Sequence, residues 1–266
     1  MSKEYFLTTD TLSLLQTLEG GQAFRWRHDE NNVFSGFSGS RFLKLRQEED
    51  GVTFLEYSEE DLPYWLGYFD TETDYSGIIE RFSEDETLRL ASSENRGLRI
   101  LRQEPFETLI SFIISQNNNI TRIKGIISRL CESFGEKCGE GYAFPTAQRL
   151  SELDENDLAP LRAGFRNRYI LDAVRKTMDN TVNLDGIYGM SYEEGKAELK
   201  KITGVGDKVA DCVLLFAYHK TEAFPMDVWI KRITAQYYPD GLPECMGDYK
   251  GIAQQYLFEY FRTRGV

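Results

Sequence analysis

The sequence predicts an α+β protein in which a small antiparallel sheet comes first and a helical region follows. Three observations carry this. Short aromatic and β-branched runs, VFSGF, RFLKLR and VTFLEY, are separated by Gly-Ser and Glu-Glu-Asp-Gly turn signals between residues 33 and 57. From about residue 96 the apolar period becomes helical and stays so. The charge divides at the same place: residues 1–95 hold 8 Lys and Arg against 20 Asp and Glu, whereas residues 96–266 hold 23 of each. The whole net charge of −12 therefore sits in the first third. We divide the chain into a sheet module over residues 1–95 and a helical module over residues 96–266.

After the strands, SEEDLPYWLGYFD and YSGIIERF read as helices, the first opened by Ser58 as N-cap with acidic residues in its first turn. Phe106, Leu109, Ile110, Ile113 and Ile114 then form a buried stripe behind Pro105. Ile123, Ile126, Ile127, Leu130 and Phe134 form a second one ahead of Gly135. Further helices are expected over residues 167–178, 191–201, 208–217, 227–238 and 248–262.

A hydrophobic fraction of 41% and a charged fraction of 28% over 266 residues exclude a disordered or fibrous chain. No apolar run reaches the length of about 18 residues that a membrane helix needs, and MSKEYFLTTD has no apolar signal core. A cytoplasmic protein is expected, with no membrane partner. Cys131, Cys138, Cys212 and Cys245 contain no C-x-x-C, so neither a disulfide framework nor a zinc or iron-sulfur site is expected. The acidic balance argues against a polyanionic partner, but only for the first module.

The chemistry concentrates in KITGVGDKVADCVLLFAYHKTEAFPMDVWIKR, residues 201–232. A helix ends at Gly204-Val205-Gly206 and a second begins with free N–H groups. That is either a plain turn or a seat for a phosphate oxygen. Lys208 stands in the first turn of the second helix, where the dipole and desolvation disfavour an ammonium and favour a free, nucleophilic amine. It reads as that nucleophile or as an exposed lysine pointing away. Asp227, in P-M-D-V, is an N-cap or a carboxylate facing Lys208. A neutralisable amine beside a fixed carboxylate suits attack at a sugar carbon, where positive charge develops on the ring. Cys212, four residues after Lys208, lies on the same helical face and otherwise reads as a small core residue.

The G-V-G-x-K-V-A-D-C hairpin followed by P-x-D-V resembles the helix-hairpin-helix DNA glycosylases, and specifically the 8-oxoguanine DNA glycosylases. GGQAFRW (residues 20–26), LRQEPFETLISFIISQNNNITRI (101–123), AGFRNRY (163–169) and IAQQYLF (252–258) are similar to segments of that family in the same order. The resemblance implies a TATA-binding-protein-like sheet domain, a helical domain bearing the hairpin, and damaged double-stranded DNA bound across the cleft by a monomer. It implies that Lys208 attacks the deoxyribose C1′ to give a Schiff base, that Asp227 stabilises the transition state, and that no cofactor is needed. Gly21 becomes the sensor of the lesion's N7–H, Cys212 and Phe258 sandwich the flipped base, and Gln254 reads its Watson-Crick edge. Asn117, Arg122 and Arg166 surround the orphaned cytosine, with Phe165 wedged into the stack.

By the same resemblance, Gly204, Val205 and Gly206 meet the DNA backbone, and carbonyls of Ile202 and Val205 are a candidate cation site. Three positions depart from the usual pattern: Phe165 replaces tyrosine, Trp229 stands where a phosphate-touching histidine is common, and Thr203 replaces a proline, which should loosen the turn. Two rivals remain: a monofunctional glycosylase for alkylated bases, which needs no amine nucleophile, and a silent DNA-binding module, which needs neither Lys208 nor Asp227.

Overall fold

The computed structural model describes residues 4–264. Its sheet has five strands: β1 (Tyr5–Thr8), β2 (Trp26–His28), β3 (Val33–Ser38), β4 (Arg41–Gln47) and β5 (Gly51–Glu56), in the order β1-β5-β4-β3-β2 and antiparallel throughout. Leu43 and Leu45 of β4 point inward between Lys44 and Arg46, and Leu45 pairs with Phe34 on one side and Phe54 on the other. This alternation puts one face of the sheet in a core. Helix α1 (Leu14–Glu19) and helix α2 (Leu62–Tyr68) cover that face, with Trp65 packing edge-on against Trp26 at 5.9 Å.

The expected Ser58 cap is corrected here. Ser58 makes no capping bond with its side chain, and a 3-10 turn over Glu59–Asp61 precedes α2. The acidic run EED spreads into that looser turn before Pro63 starts a regular helix.

The remaining elements are helical, apart from a short hairpin of β6 (Lys137–Cys138) and β7 (Gly141–Tyr142). They comprise α3 (Tyr75–Phe82), α4 (Glu86–Glu94), α5 (Pro105–Ser115), α6 (Ile120–Phe134), α7 (Ala147–Ser151) and α8 (Arg166–Met178). They continue with α9 (Tyr192–Leu199), α10 (Asp207–Tyr218), α11 (Val228–Tyr237) and α12 (Lys250–Arg262). Helices α5 and α10 form the centre: residues 108–114 and 209–218 are buried all round, and Phe112 stacks on Phe216 at 5.3 Å. Helices α3 and α4, which precede residue 95, also pack into this second core, α4 lying along α12.

Buried polar side chains stitch the two cores together. Gln22 donates to the carbonyls of Thr17 and Arg99 and accepts from the Leu101 amide. Gln103 donates to the Gln22 carbonyl, while its own amide donates to Phe216 of α10. The loop before β2 is thereby tied to the helix that follows the G-V-G turn.

Candidate functional site

Helix α10 opens at Gly206 with no side chain capping its first amides. Those N–H groups therefore face outward beside the turn, which suits an anionic oxygen. At Gly204 the chain takes φ +85°, and a Cβ there would lie 2.5 Å from the Tyr169 ring of α8. The turn can be this tight only with glycine. The Val205 amide donates to the Ile202 carbonyl at 3.0 Å, so that oxygen, one of the two suggested for a cation, already closes the turn. Thr203 does not loosen it: its amide, which a proline would lack, donates to Asp172 Oδ2 at 2.7 Å. Burial draws the Asp172 carboxyl upward, but hydrogen bonds from Lys176, Thr203 and Arg175 outweigh it and hold the group well below the usual carboxylate range.

Lys208 is half-buried in the first turn of α10. Its Nζ sits 5.1 Å from the centre of the Phe112 ring and 3.4 Å from Ser115 Oγ at the end of α5. Asp227 caps α11, accepting the Ile230 amide at 2.7 Å through Oδ1. This bond fixes the carboxylate at the helix start and leaves its second oxygen uncommitted to the cap. Cys212 follows Lys208 by one helical turn on α10. Burial pushes its thiol up to about 11; Lys208 draws it down, while Asp211 and, more weakly, Asp227 push it up. The hairpin thus sets amine and thiol one turn apart on α10, with the carboxylate fixed at the start of the next helix.

Gly21 has φ +78°, and a side chain there would meet Ile120 at 3.6 Å and the Phe258 ring at 3.8 Å. Its backbone therefore lines a space bounded by α6 and α12. Gln254 is buried one helical turn before Phe258.

The asparagine run precedes α6 in the chain. Asn119 caps α6 by accepting the Arg122 amide at 2.9 Å, and Asn117 adopts φ +46°. Arg166 is 3% exposed, and its fork is spent on the main chain: it donates to the carbonyls of Gln116, Asn117 and Ala163. In this state Arg166 braces the asparagine loop. Arg122 is exposed, reaching the Arg162 carbonyl at 3.4 Å. Phe165 projects into solvent with 44% exposure, edge-on to Tyr169 at 5.6 Å. Trp229 is 40% exposed beside Arg232.

Residues that the sequence reading passed over join these parts. Phe112 and Ser115 hold Lys208, the Gln116 carbonyl receives Arg166, Ile120 faces Gly21, and Tyr169 links the Phe165 ring to the Gly204 turn. Most of them sit in an apolar helix or its C-terminal turn, where the periodicity signals only burial. A separate cavity of about 490 Å³ between β2 and α6 is lined by Arg25, Lys124, Cys131 and Tyr142 among others and holds none of the expected site residues.

A sheet module, a helical module and a hairpin carrying an amine and a carboxylate define a helix-hairpin-helix DNA glycosylase. The chain belongs to the 8-oxoguanine DNA glycosylase family: residues 4–109 match the 8-oxoguanine DNA glycosylase N-terminal domain, and residues 110–241 match the HhH-GPD superfamily base excision DNA repair proteins. It is 33% identical to an N-glycosylase/DNA lyase of Saccharomyces cerevisiae, over 85% of this chain and 68% of the relative. It is 31% identical to one of Arabidopsis thaliana, over 91% and 69%. The Clostridium acetobutylicum 8-oxoguanine glycosylase/lyase, solved with duplex DNA containing cytosine opposite 8-oxoguanine, superposes with a TM-score of 0.91 at 35% identity, covering 98% of this chain and 99% of that one. A 3-methyladenine DNA glycosylase of Archaeoglobus fulgidus shares the fold, with a TM-score of 0.79 at 16% identity over 98% and 99% of the two chains.

Proposed function

We infer that this protein is a bifunctional DNA glycosylase and AP lyase that excises 8-oxoguanine opposite cytosine in base-excision repair. The observation that carries this reading is the placement of Lys208, held by Phe112 and Ser115 one turn before Cys212, with Asp227 fixed at the start of the following helix. A monofunctional glycosylase on this fold has no use for a lysine so held, and a binding module has no use for the pair.

The roles of individual residues are those that the family resemblance implies for these positions. The flipped nucleotide enters beside Gly21, whose carbonyl accepts the N7–H present in 8-oxoguanine and absent from guanine. Phe258 and Cys212 sandwich the ring, and Gln254 binds its edge. The Lys208 lone pair forms a bond to C1′ as the C1′–N9 bond breaks. The bonding electrons leave with the base, which takes up a proton. Asp227 stabilises the positive charge that builds on the sugar during this exchange. The ring then opens to a Schiff base, loss of the C2′ proton expels the 3′ phosphate by β-elimination, and water returns the amine. Uncapped amides at Gly206 and beyond seat a phosphate, Phe165 fills the gap left by the base, and Asn117, Arg122 and Arg166 meet the orphaned cytosine.

The test is excision from duplexes carrying 8-oxoguanine opposite each of the four bases. Release of 8-oxoguanine with strand nicking, fastest opposite cytosine, is expected. Release without nicking would favour the monofunctional reading.

A further inference from the structure

Gln254 and Gln255 are consecutive in α12 and are 3% and 6% exposed. Gln255 Nε2 donates to Gln254 Oε1 at 3.2 Å, so the Gln254 amide nitrogen is the end turned away from its neighbour. Gln255 Oε1 is buried and accepts no hydrogen bond among the described residues. A buried amide oxygen left in that state is costly and calls for a donor. Phe258 follows Gln254 by four residues and Gln255 by three, so both amides stand one helical turn before its ring. That ring is the one that closes on Gly21.

A lone glutamine reads a base edge ambiguously, because half a turn about its last bond exchanges donor and acceptor. A 6-oxopurine offers an O6 acceptor beside an N1–H donor, and a 6-aminopurine offers the reverse pair. We propose that Gln255 is a specificity-determining residue. It locks Gln254 with its NH₂ group outward, towards the O6 of a 6-oxopurine, and presents its own unpartnered oxygen to the adjacent N1–H. The inference rests on reading this cleft as the base-excision site and adds a second reader of the edge to it.

Single-turnover excision of 8-oxoguanine and of 8-oxoadenine, each opposite cytosine, tests this alongside nicking of a preformed abasic site, where no base is read. Gln255→Met keeps the length of the side chain and removes both hydrogen-bonding groups. It is expected to slow 8-oxoguanine excision about tenfold, the scale of one lost hydrogen bond. The ratio of 8-oxoguanine to 8-oxoadenine excision should also fall about tenfold, with abasic-site nicking within about twofold of wild type. Gln255→Glu, which keeps an acceptor but loses the locking donor, is expected to lower the ratio as well. An equal fall on all three substrates would show a merely structural role and overturn the proposal, as would an unchanged ratio. A wild-type enzyme inactive on 8-oxoguanine but able to nick abasic sites would refute the underlying reading instead.

Discussion

Gly204 shows how closely single positions are constrained in the hairpin. Its φ is +85°, and the Tyr169 ring lies 2.5 Å from where a Cβ would stand, which leaves no room for one. Gly204→Ala therefore combines left-handed strain with a clash and is expected to cost about 1–3 kcal/mol of stability. A thermal melt reads this directly; an unchanged midpoint would mean that Tyr169 moves aside freely. The same substitution shifts the ring against which Phe165 packs, so DNA binding should weaken with stability. Arg166 is the contrasting case, since its donors serve loop carbonyls in the free protein. Of the five N–H donors on a guanidinium, the carbonyls of Gln116, Asn117 and Ala163 engage most, so any contact with a cytosine works through a group already braced.

At the scale of elements, α10 carries the chemistry at one end and a titratable clasp at the other. His219 ends the helix at φ +53°, with Nε2 3.4 Å from the buried carboxylate of Asp70 and Nδ1 without a hydrogen-bond partner among the described residues. Asp70 also accepts from Thr73, Tyr75 and Arg102. Burial lowers the imidazole below its ordinary 6.5, and Arg102 adds to this while Asp70 opposes it. A histidine depressed in the folded state binds its proton more readily when unfolded. Its contribution is therefore intact above about pH 6.5 and is lost as the pH falls below that value. The melting temperature should drop between pH 7 and pH 5.5, and His219→Asn, which tolerates the left-handed backbone, should flatten that drop. An identical slope in the variant would assign the pH dependence to other groups.

Helix α10 also shows what could be read from sequence. Its span, like that of α5, α6, α8 and α12, follows from apolar periodicity framed by Gly, Pro or a capping residue, so these helices and the placement of Lys208 and Asp227 at helix starts were legible. Helix α1, with six residues, and strand β1, with four, are too short for a period to emerge. Helix α4 buries only Leu88, Ala91 and Ser92, a face too small to announce itself. The supports of the site were hidden for another reason. Ser115 meets Lys208, and Ile120 meets Gly21, across roughly a hundred residues of chain, and no local pattern records such a meeting.

For the whole molecule the question is what holds the two modules together. Besides the Gln22–Gln103 ties, Arg25 of the sheet module forms a clamp, bonding Glu107 of α5 at 3.0 Å together with the carbonyls of Gly39 and Tyr142. Burial raises the Glu107 carboxyl, and Arg25 and the Gly39 amide counter it. Removing the arginine strands a buried carboxylate. Arg25→Leu is expected to destabilise the fold by about 3–5 kcal/mol in a urea melt, with Glu107→Leu added to it restoring part of the loss. No recovery in the double variant would show that Arg25 acts through packing alone. The acidic excess lies with this module, and its hairpin of Glu48, Glu49 and Asp50 joins β4 to β5, at a remove from edge strand β2 and the Gly21 loop. The helical module is neutral in sum and offers helix-start amides, which suit a phosphate oxygen, in place of a basic surface. The central claim for the assembled molecule is that Lys208 is the nucleophile. Borohydride trapping on a duplex with 8-oxoguanine opposite cytosine tests it most directly, comparing the wild type with Lys208→Gln. A covalent protein–DNA adduct in the wild type and none in the variant is the expected result, whereas an adduct of equal yield in the variant would place the Schiff base on another amine and contradict the account.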